Sequence, residues 1–323
     1  MEISQNGNEV LLSIIIVNYN LEKEIDDCLS SLFRNVVYQS NNFPSFEIIV
    51  VDNNSPNKSL GKLESKYDNG LVKFIYSEKN LGFGKGCNLG FKNSKGQYLL
   101  FLNPDTFVTE DIFTPVFKLF QENKEIGIIA PKQQVRKPFF DFSAGYFPNP
   151  IFELLHLFGI GVFSEGFLMY MLTKIHTKSI IFTDWILGAA IFIKREIFEQ
   201  VNGFDKDYFM FFEEVDLCKR VKSLGYRVAY YHKLKLHHIG SVSGKKNYFL
   251  YTIRTYASKY IFLTKHYKFP TKHLMILLMY LQMISQIIIW TILLPVNKDK
   301  SLQKIKSFIY LISNRMKNNI DIN

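Results

Sequence analysis

The sequence predicts an α/β protein with a mostly parallel central sheet, and two observations carry this prediction. Short apolar runs alternate with segments of helical periodicity between Leu11 and Tyr231, which is typical of parallel sheets with right-handed crossovers. Two of the runs are followed by an aspartate, at Asp52 and at Asp105. Because the carboxyl ends of parallel strands share one edge, we expect both aspartates at a ligand-binding edge of the sheet.

The predicted strands are short apolar runs that end at polar or turn-forming residues. The run Tyr98–Leu102 is taken as the central strand, because Pro104 stops it abruptly. Pro104 has no amide to donate and favours extended backbone at Asn103. In chain order, the predicted strands are residues 11–17, 46–51, 72–76, 98–102, 126–130, 185–194 and 227–231.

Apolar residues at helical spacing predict the helices between these strands. They cover residues 22–33, 58–67, 111–122, 195–201 and 217–224, and a further helix is expected to begin at Cys87. The glycine-rich residues 80–86 match neither a dinucleotide fingerprint nor a P-loop, so we expect a loop whose glycines let backbone approach a ligand. Residues 131–184 are irregular and rich in Phe, Pro and Gly; we expect an insertion over the site or a lipid-facing surface.

Composition limits the partners of the chain. Its 323 residues can bury a large core, and its net charge of +10 favours anionic partners such as a phosphorylated ligand or an anionic membrane face. Nucleic acid is not expected, because the sequence has no Arg-rich cluster, zinc-finger spacing or RNA-binding aromatic motif. Three widely spaced cysteines favour a reducing, cytosol-facing location, and the polar residues 1–9 predict no signal peptide.

Two groups of residues could act as catalytic bases or metal ligands. Glu213, Glu214 and Asp216 come directly after the aromatic segment 204–212. They can be acids favoured at a helix N-terminus, or buried carboxylates whose raised pKa makes them better bases. The histidines His237 and His238 can be solvated or capping residues of a loop. Alternatively, they can complete a site for Mn²⁺ or Mg²⁺ together with Asp105. The residue patterns alone leave these alternatives open.

Taken in order, the motifs resemble the inverting glycosyltransferases of family 2, especially the rhamnosyltransferase-like branch. The resemblance covers about residues 11–245, and it implies a GT-A (nucleotide-diphospho-sugar transferase) fold and a nucleotide-diphosphate sugar donor. Each motif is weak alone, but the ordered set is specific. The motifs are residues 14–20, 50–55, 80–84 with Asn88, 103–105, 185–190, 203–205, 212–218 and 238–243.

The resemblance also implies roles for individual residues. Asp105 and His238 would bind a Mn²⁺ or Mg²⁺ ion that bridges the diphosphate of the donor. Asn103 stands at the first acid position of the family's Asp-x-Asp motif, which leaves one fewer carboxylate for the metal. The residues expected to bind the nucleotide are Asn18, Asp52, Asn54, Gly82, Asn88 and Asn103.

The same resemblance places the catalytic base at Glu214, where the family commonly has the aspartate of its Glu-Asp pair. Glu is one methylene longer than Asp, so Glu213 stays open as the alternative. The pocket for the transferred sugar or the acceptor would be formed by Trp185, Gly188, Ala189 and Asp216. In the expected reaction, one carboxylate removes the proton of the acceptor hydroxyl, and no second carboxylate is needed as a nucleophile.

The sequence divides into a polar N-terminal tail (1–10), a GT-A domain (11–245) and a helical, membrane-associated C-terminal region (246–323). Residues 274–294 carry no charge and are long enough to span a bilayer. Residues 302–312 predict an amphipathic helix suited to anionic lipid. Spanning the membrane, lying on it, and packing as a core helix on the catalytic domain all stay open.

The expected function is transfer of a sugar from a dTDP-rhamnose-like or UDP-hexose donor to a glycan or lipid-linked saccharide acceptor. This reaction would serve cell-surface polysaccharide synthesis on the cytoplasmic side of the cell membrane. A sugar nucleotidyltransferase should have a Gly-rich, basic signature after the first strand, where this chain has Asn18-Tyr19-Asn20. The alternative outside enzymes is an inactive, membrane-bound glycan- or nucleotide-binding protein of the same fold.

Overall fold

The computed structural model of the protein describes residues 10–314, apart from 35–44, 57–59, 69, 135–142 and 241–246. Outside these described residues lie nearly all of the predicted N-terminal tail, the start of the helix predicted at residue 58, and the end of the 238–243 motif. The strands of the described part are β1 (Leu12–Asn18), β2 (Phe46–Asp52), β3 (Val72–Tyr76), β4 (Tyr98–Leu102), β5 (Thr106–Phe107), β6 (Ile126–Gln134), β7 (Ala144–Gly145), β8 (Ile181–Thr183), β9 (Trp185–Ile186), β10 (Ala190–Lys194) and β11 (Arg227–His238).

The central sheet has nine strands within the described residues, in the order β3-β2-β1-β4-β10-β6-β11-β5, with β8 also paired to β11. Strands β3, β2, β1 and β4 run parallel to one another, and so do β6 and β11. Strand β10 is inserted antiparallel between β4 and β6, while β5 and β8 are antiparallel to β11. The mostly parallel sheet expected from the sequence is therefore confirmed.

Helices cover both faces of this sheet. Alternate side chains of β1 point to opposite faces. Ile14 belongs to the core cluster that contains Leu29 and Phe113, whereas Ile15 belongs to the cluster that contains Cys87 and Phe198. The helices are α1 (Glu22–Leu32), α2 (Gly61–Lys66), α3 (Phe83–Lys92), α4 (Phe113–Glu122), α5 (Pro150–Leu157), α6 (Gly161–Ile175), α7 (Arg195–Gln200), α8 (Glu213–Ser223), α9 (Tyr248–His266), α10 (Thr271–Ile292) and α11 (Lys298–Ser313).

Three segments differ from their prediction. Residues 185–194 form two strands instead of one, because β9 pairs with β7 while β10 joins the central sheet. The glycine-rich segment becomes helix α3 from Phe83 onward. The predicted histidine loop begins on a strand, because β11 continues to His238 and pairs with β5. In the irregular region 131–184, the described part contains α5 and α6 with short strands.

The C-terminal helices form their own apolar cluster and also contact the α/β part of the chain. Met275, Met279 and Met283 of α10 are buried with residues of α9 and α11. Phe262 of α9 is buried with Tyr208 and other residues near the start of α8. In the described part, α10 is the one helix that could cross a membrane by length and composition, and only 28% of its most apolar window is buried.

Candidate active site

The carboxyl ends of β1 and β2 hold a rigid carboxylate. Asn18 and Asp52 are in register across these parallel strands, and the Asn18 side-chain amide donates to Asp52 Oδ1 at 2.9 Å. The Ser55 hydroxyl donates to the same oxygen, and the Ser55 backbone amide donates to Oδ2 at 3.1 Å. Asp52 is thereby fixed at the edge where a nucleotide is expected, and Oδ2 keeps a lone pair for a further donor.

The neighbouring loop is held by Asn53, which the sequence prediction overlooked. Asn53 is buried; its Nδ2 donates to Asn80 Oδ1 and to the Gly82 carbonyl, and its Oδ1 accepts from the Leu81 amide. Asn54, predicted to bind the nucleotide, is exposed at the strand end with a positive φ of 63°. The sequence signal for Asn53 was its position directly after Asp52.

Gly82 and Asn88 were predicted to bind nucleotide, but the structure uses both to hold the protein together. A Cβ on Gly82 would lie 2.0 Å from the Phe209 carbonyl oxygen, and the Phe83 amide donates to that same oxygen. Asn88 Nδ2 donates to the Phe204 carbonyl, and its Oδ1 accepts from the Phe204 amide. Gly82 thus permits close approach of the Phe209 backbone, and Asn88 has both ends of its amide engaged.

Strand pairing brings Asp105 and His238 together. His238 on β11 lies opposite Thr106 on β5, and Thr106 is the residue directly after Asp105. His238 Nε2 is 3.1 Å from Asp105 Oδ1, and both side chains are largely buried, with about a tenth of their surface exposed. The Asp105 carbonyl also accepts from the Ile239 amide at 3.0 Å. Two residues far apart in sequence therefore form one compact pair at the carboxyl end of the central strand.

The chemistry of this pair fits a divalent cation such as Mn²⁺, because imidazole and carboxylate are both ligands that Mn²⁺ accepts. No group of three or more His, Cys, Asp or Glu side chains able to hold a metal occurs in the described parts of the chain. The protein would therefore supply two donors, and phosphate oxygens or water would complete the coordination. The Asn103 amide side chain, in place of a carboxylate, agrees with this small donor set.

Glu213 and Glu214 are buried at the start of α8, and the Oε2 atom of each has no hydrogen-bond partner in the described structure. Burial raises the pKa of Glu214 from its usual value of 4.5 to about 7. Burial also raises the pKa of Glu213 well above its usual value, and the neighbouring charge of Glu214 adds to this effect. A carboxylate with a pKa near neutrality and an open acceptor oxygen is suited to general-base catalysis.

The two glutamates face different parts of the site. Atoms of the Glu214 side chain lie 3.7–3.8 Å from the position of a Cβ on Gly188, in the predicted sugar pocket. The Glu213 Cβ instead lies 3.5 Å from the corresponding position on Gly84, in the first turn of α3. Glu214 is therefore the glutamate beside the predicted pocket, and this geometry favours it over Glu213 as the base.

The turn before α8 is strained and lies on helix α9. Phe211 and Phe212 both have a positive φ, of 71° and 63°, which bulky side chains rarely adopt. Such strain persists only where surrounding contacts impose it. Each residue from 209 to 212 has such a contact with α9. Arg254 lies 4.7 Å from the Phe209 ring centroid, and Ser258 Oγ donates to the Met210 carbonyl at 2.8 Å. The ring centroids of Phe211 and Tyr251 are 4.9 Å apart, and those of Phe212 and Phe262 are 5.6 Å apart.

A backbone hydrogen bond links the predicted pocket segment, residues 185–189, to the turn that carries Asp105 of the Asp105–His238 pair, called the metal pair below. The Asn103 amide donates to the Ala189 carbonyl at 2.9 Å, so the turn that carries Asp105 is joined to residues 185–189. Trp185 is half-buried, and its indole Nε1 donates to the Tyr146 carbonyl. The backbone hydrogen bond thus places Asn103 next to Ala189, in the segment that also contains Trp185 and Gly188.

Asp216 does not join this group, although the sequence placed it in the pocket. It is fully buried, and both oxygens are engaged within the protein. Arg220 Nε donates to Oδ2 at 2.6 Å, His266 Nε2 lies 2.7 Å from Oδ1, and the Tyr208 hydroxyl donates to Oδ1. Asp216 therefore joins α8 to the end of α9.

Similarity to solved structures gives the class of fold. The chain is similar to the mannosyltransferase PcManGT of Pyrobaculum calidifontis, solved with GDP-Man and Mn²⁺, with a TM-score of 0.57 and 12% identity over 98% of this chain and 89% of that one. It is also similar to residues 1–349 of S. aureus TarS, with a TM-score of 0.52 and 16% identity over 95% and 82% of the two chains. The predicted GT-A fold is confirmed.

Similarity of sequence gives the family. The model described as Glycosyl transferase family 2 matches residues 13–176, about half of the 323 residues. The chain belongs to this family, which confirms the resemblance found in its motifs.

Curated relatives are similar over part of their length. Rhamnosyltransferase WbbL of Escherichia coli K12 is 29% identical over 46% of this chain and 57% of the relative. GgaB of Bacillus subtilis, a minor teichoic acid biosynthesis protein, is 34% identical over 36% and 13%. The low-salt glycan hexosyltransferase Agl10 of Haloferax volcanii is 27% identical over 65% and 61%. The chain thus spans less than two thirds of the length of these relatives.

Proposed function

We propose that this chain is a metal-dependent inverting glycosyltransferase that uses a nucleotide-diphosphate sugar. The observation that carries the proposal is Glu214: a buried carboxylate beside Gly188, with a pKa of about 7 and an unpartnered Oε2 within the described residues. The Asp105–His238 pair at the end of the central strand supports the metal dependence. The similar structure of the mannosyltransferase PcManGT, solved with GDP-Man and Mn²⁺, supports the same class of donor.

The proposed reaction needs one base and one site for the leaving group. Glu214 accepts the proton of the acceptor hydroxyl while that oxygen forms a bond to the anomeric carbon. The bond from the anomeric carbon to the donor phosphate breaks, and its electron pair leaves with the diphosphate. A divalent cation held by Asp105 and His238 would neutralise the charge on that diphosphate. Attack from the face opposite to the leaving group inverts the anomeric configuration.

The proposed donors are dTDP-rhamnose or a UDP-hexose, and the proposed acceptor is a glycan or lipid-linked saccharide. The names of the relatives support this range, since they include a rhamnosyltransferase, a glycan hexosyltransferase and a teichoic acid biosynthesis protein. A role in cell-surface polysaccharide synthesis follows from the same names as part of the proposal.

The proposed location is the cytoplasmic side of the cell membrane. Helix α10 supports it, because one face of α10 is exposed and apolar while its methionines are buried against α9 and α11. We call the exposed face the α10 stripe; its residues are Leu274, Leu277, Leu281, Ile284, Ile288 and Ile292. Basic residues flank the helix at Lys268, Lys272 and Lys298, as suits anionic lipid.

The experiment that tests the reaction compares Glu214→Gln with Glu213→Gln. Each variant is assayed for release of nucleoside diphosphate from UDP-hexoses, dTDP-rhamnose and GDP-mannose, with Mn²⁺ and saccharide acceptors. Loss of the base should lower turnover about 10²–10⁴-fold in Glu214→Gln, with a smaller loss in Glu213→Gln. Donor binding, measured as a Mn²⁺-dependent rise in melting temperature, should persist in both variants.

The same assay discriminates the alternative. An inactive binding protein of this fold would show the thermal shift with a nucleotide sugar but no release of nucleoside diphosphate from the wild-type chain. Full turnover in Glu214→Gln would reject Glu214 as the base, and a larger loss in Glu213→Gln would transfer that role to Glu213.

A further inference from the structure

A buried glutamine, Gln133, connects the metal pair to the sugar-pocket segment. Only 3% of its surface is exposed. Its Oε1 lies 3.0 Å from His238 Nδ1, and its Nε2 donates to the Leu187 carbonyl at 3.2 Å. Its backbone amide donates to Ser143 Oγ. Gln133 is thus the buried bridge between His238 and the segment that carries Gly188 and Ala189.

The strand register explains how Gln133 reaches His238. Gln133 on β6 is in register with Leu236 on the parallel strand β11. His238 is two residues beyond Leu236, so its side chain projects from the same face of the sheet. Gln133 and His238 are therefore diagonal neighbours on one face, within reach of a long amide side chain.

The Leu187 carbonyl fixes which way the Gln133 amide points. A carbonyl oxygen can only accept hydrogen bonds, so the NH₂ group of Gln133 must face Leu187. Its Oε1 then faces His238 Nδ1, and this nitrogen must carry a proton to donate to it. In the neutral imidazole the other nitrogen, Nε2, is left with a lone pair that points at Asp105 Oδ1. Two acceptors facing each other across 3.1 Å suit a shared cation.

We propose that Gln133 is a positioning residue that holds His238 in the tautomer and orientation needed to bind the divalent cation. This inference rests on the proposed metal role of Asp105 and His238. Hydrogen-bond partners of metal-binding histidines fix the ring and raise its basicity, and their loss weakens metal binding about 10–100-fold. Because its other end holds Leu187, Gln133 also couples the position of the sugar-pocket segment to the metal pair.

The test measures Mn²⁺ binding rather than activity. Free Mn²⁺ is quantified by electron paramagnetic resonance with the full chain in the presence of UDP, GDP or dTDP, each in separate titrations. Gln133→Met keeps the length of the side chain but removes both hydrogen bonds. Gln133→Glu keeps an acceptor facing His238 Nδ1. Gln134→Leu is the matched control, because the next residue along an extended strand faces the opposite side of the sheet.

We expect Gln133→Met to bind Mn²⁺ about 10–100-fold more weakly, while Gln133→Glu and Gln134→Leu stay close to the wild type. Equal affinity of Gln133→Met and the wild type would overturn the role of Gln133 and leave the metal pair intact. Absence of Mn²⁺ binding by the wild-type chain with every nucleotide would reject the metal pair itself.

A second measurement on the wild-type chain covers the case in which Gln133→Met does not fold. Nitrogen-15 spectra of histidine-labelled protein with Mg²⁺ and nucleotide report which ring nitrogen carries the proton, and His238→Asn assigns the signal. The proposal requires a proton on Nδ1 and none on Nε2. The reverse tautomer would overturn it.

Discussion

At the scale of residues, the site depends on how two adjacent glutamates are buried. An isolated buried carboxylate favours its protonated form, because the charged form loses its hydration. Each tenfold change in proton affinity corresponds to about 1.4 kcal/mol, so a rise from 4.5 to about 7 costs ionised Glu214 on the order of 3 kcal/mol. The adjacent Glu213 is disfavoured further by a like charge. Burial therefore favours the protonated form of both glutamates, and a charge on one disfavours a charge on the other.

This burial predicts a falling stability with rising pH. Between about pH 4.5 and 7, the folded chain keeps a proton on Glu214 that the unfolded chain has already released. The folded state binds more protons in this window, so the free energy of unfolding decreases as pH rises through it. Glu214→Gln stays neutral at every pH and should flatten this decrease by on the order of 3 kcal/mol.

Urea unfolding between pH 4.5 and 8 measures the effect. The matched control is Glu122→Gln, since Glu122 is exposed and its removal should leave the slope of the wild type. An identical slope in Glu214→Gln would show that Glu214 is not buried in the way described.

At the scale of elements, helix α9 supports the turn that precedes Glu213 and Glu214. Four consecutive residues, 209–212, contact α9 through a hydrogen bond, two aromatic pairs and a cation–π contact. Asp216 adds a link from α8 to His266 in the last turn of α9. The segments on the two sides of the boundary predicted near residue 245 are therefore in contact, and α9 contributes to the position of Glu214.

Removal of one α9 contact should change catalysis more than donor binding. Ser258→Ala removes the hydrogen bond to the carbonyl of the half-buried Met210, which costs about 0.5–1.5 kcal/mol, and it weakens the support of the strained Phe211–Phe212 turn. We expect kcat to fall about tenfold, with the KM for the donor changed much less, because the turn positions the base rather than the nucleotide. Steady-state kinetics at fixed Mn²⁺ measure the two constants.

The matched control is Thr255→Ala. Thr255 is on the same helix, but its hydroxyl donates to the Tyr251 carbonyl of α9 itself. Equal losses of kcat in Ser258→Ala and Thr255→Ala would indicate a general effect on the helix. A loss confined to the KM of Ser258→Ala would contradict a role in positioning the base.

The sequence predicted the elements whose signals are local. β3 and β4 were predicted with their observed bounds, because each apolar run is closed by turn residues on both sides. The insertion of β10 between β4 and β6 was not predicted, because pairing partners depend on contacts between distant segments. The histidines were predicted in a loop for the same reason: their strand depends on pairing with β5 and β6, which are distant in sequence.

Prediction of the site residues is limited in the same way, because their contacts depend on segments that are distant in sequence. Asp105 and His238 follow from family motifs, whereas Gln133 has no motif and acquires its contact only through the β6–β11 register. Asn88 and Asp216 stand in motifs, yet their polar atoms bond to Phe204, Arg220 and His266. A sequence shows that a polar residue occurs in a motif but not whether its hydrogen bonds are used inside the protein.

At the scale of the whole molecule, the exposed apolar surface extends beyond α10. Helix α5 packs against both α10 and α6, and these helices also expose apolar side chains. On and just after α5 they are Ile151, Leu154 and Phe158, and on α6 they are Phe167, Leu168, Met171 and Ile175. Because α10 has its methionine face packed on α9 and α11, this surface suits a protein that lies on a bilayer with α10 in the interface.

The last prediction follows from this surface. Wild-type protein should float with vesicles that contain anionic phosphatidylglycerol and bind much less to neutral phosphatidylcholine vesicles, because basic residues flank the α10 stripe. Ile284→Glu combined with Ile288→Glu should weaken vesicle binding more than tenfold, since burial of each isoleucine contributes about 1.5–3 kcal/mol. Leu224→Glu, at an exposed leucine just after α8, is the matched control and should bind like the wild type.

Carbonate extraction then separates the two modes of attachment: release from the membrane indicates a helix lying in the interface, and retention indicates a span. Equal flotation of the wild type and the double variant would contradict membrane binding through α10, and donor turnover measured on the same preparations would show whether the catalytic part is unaffected.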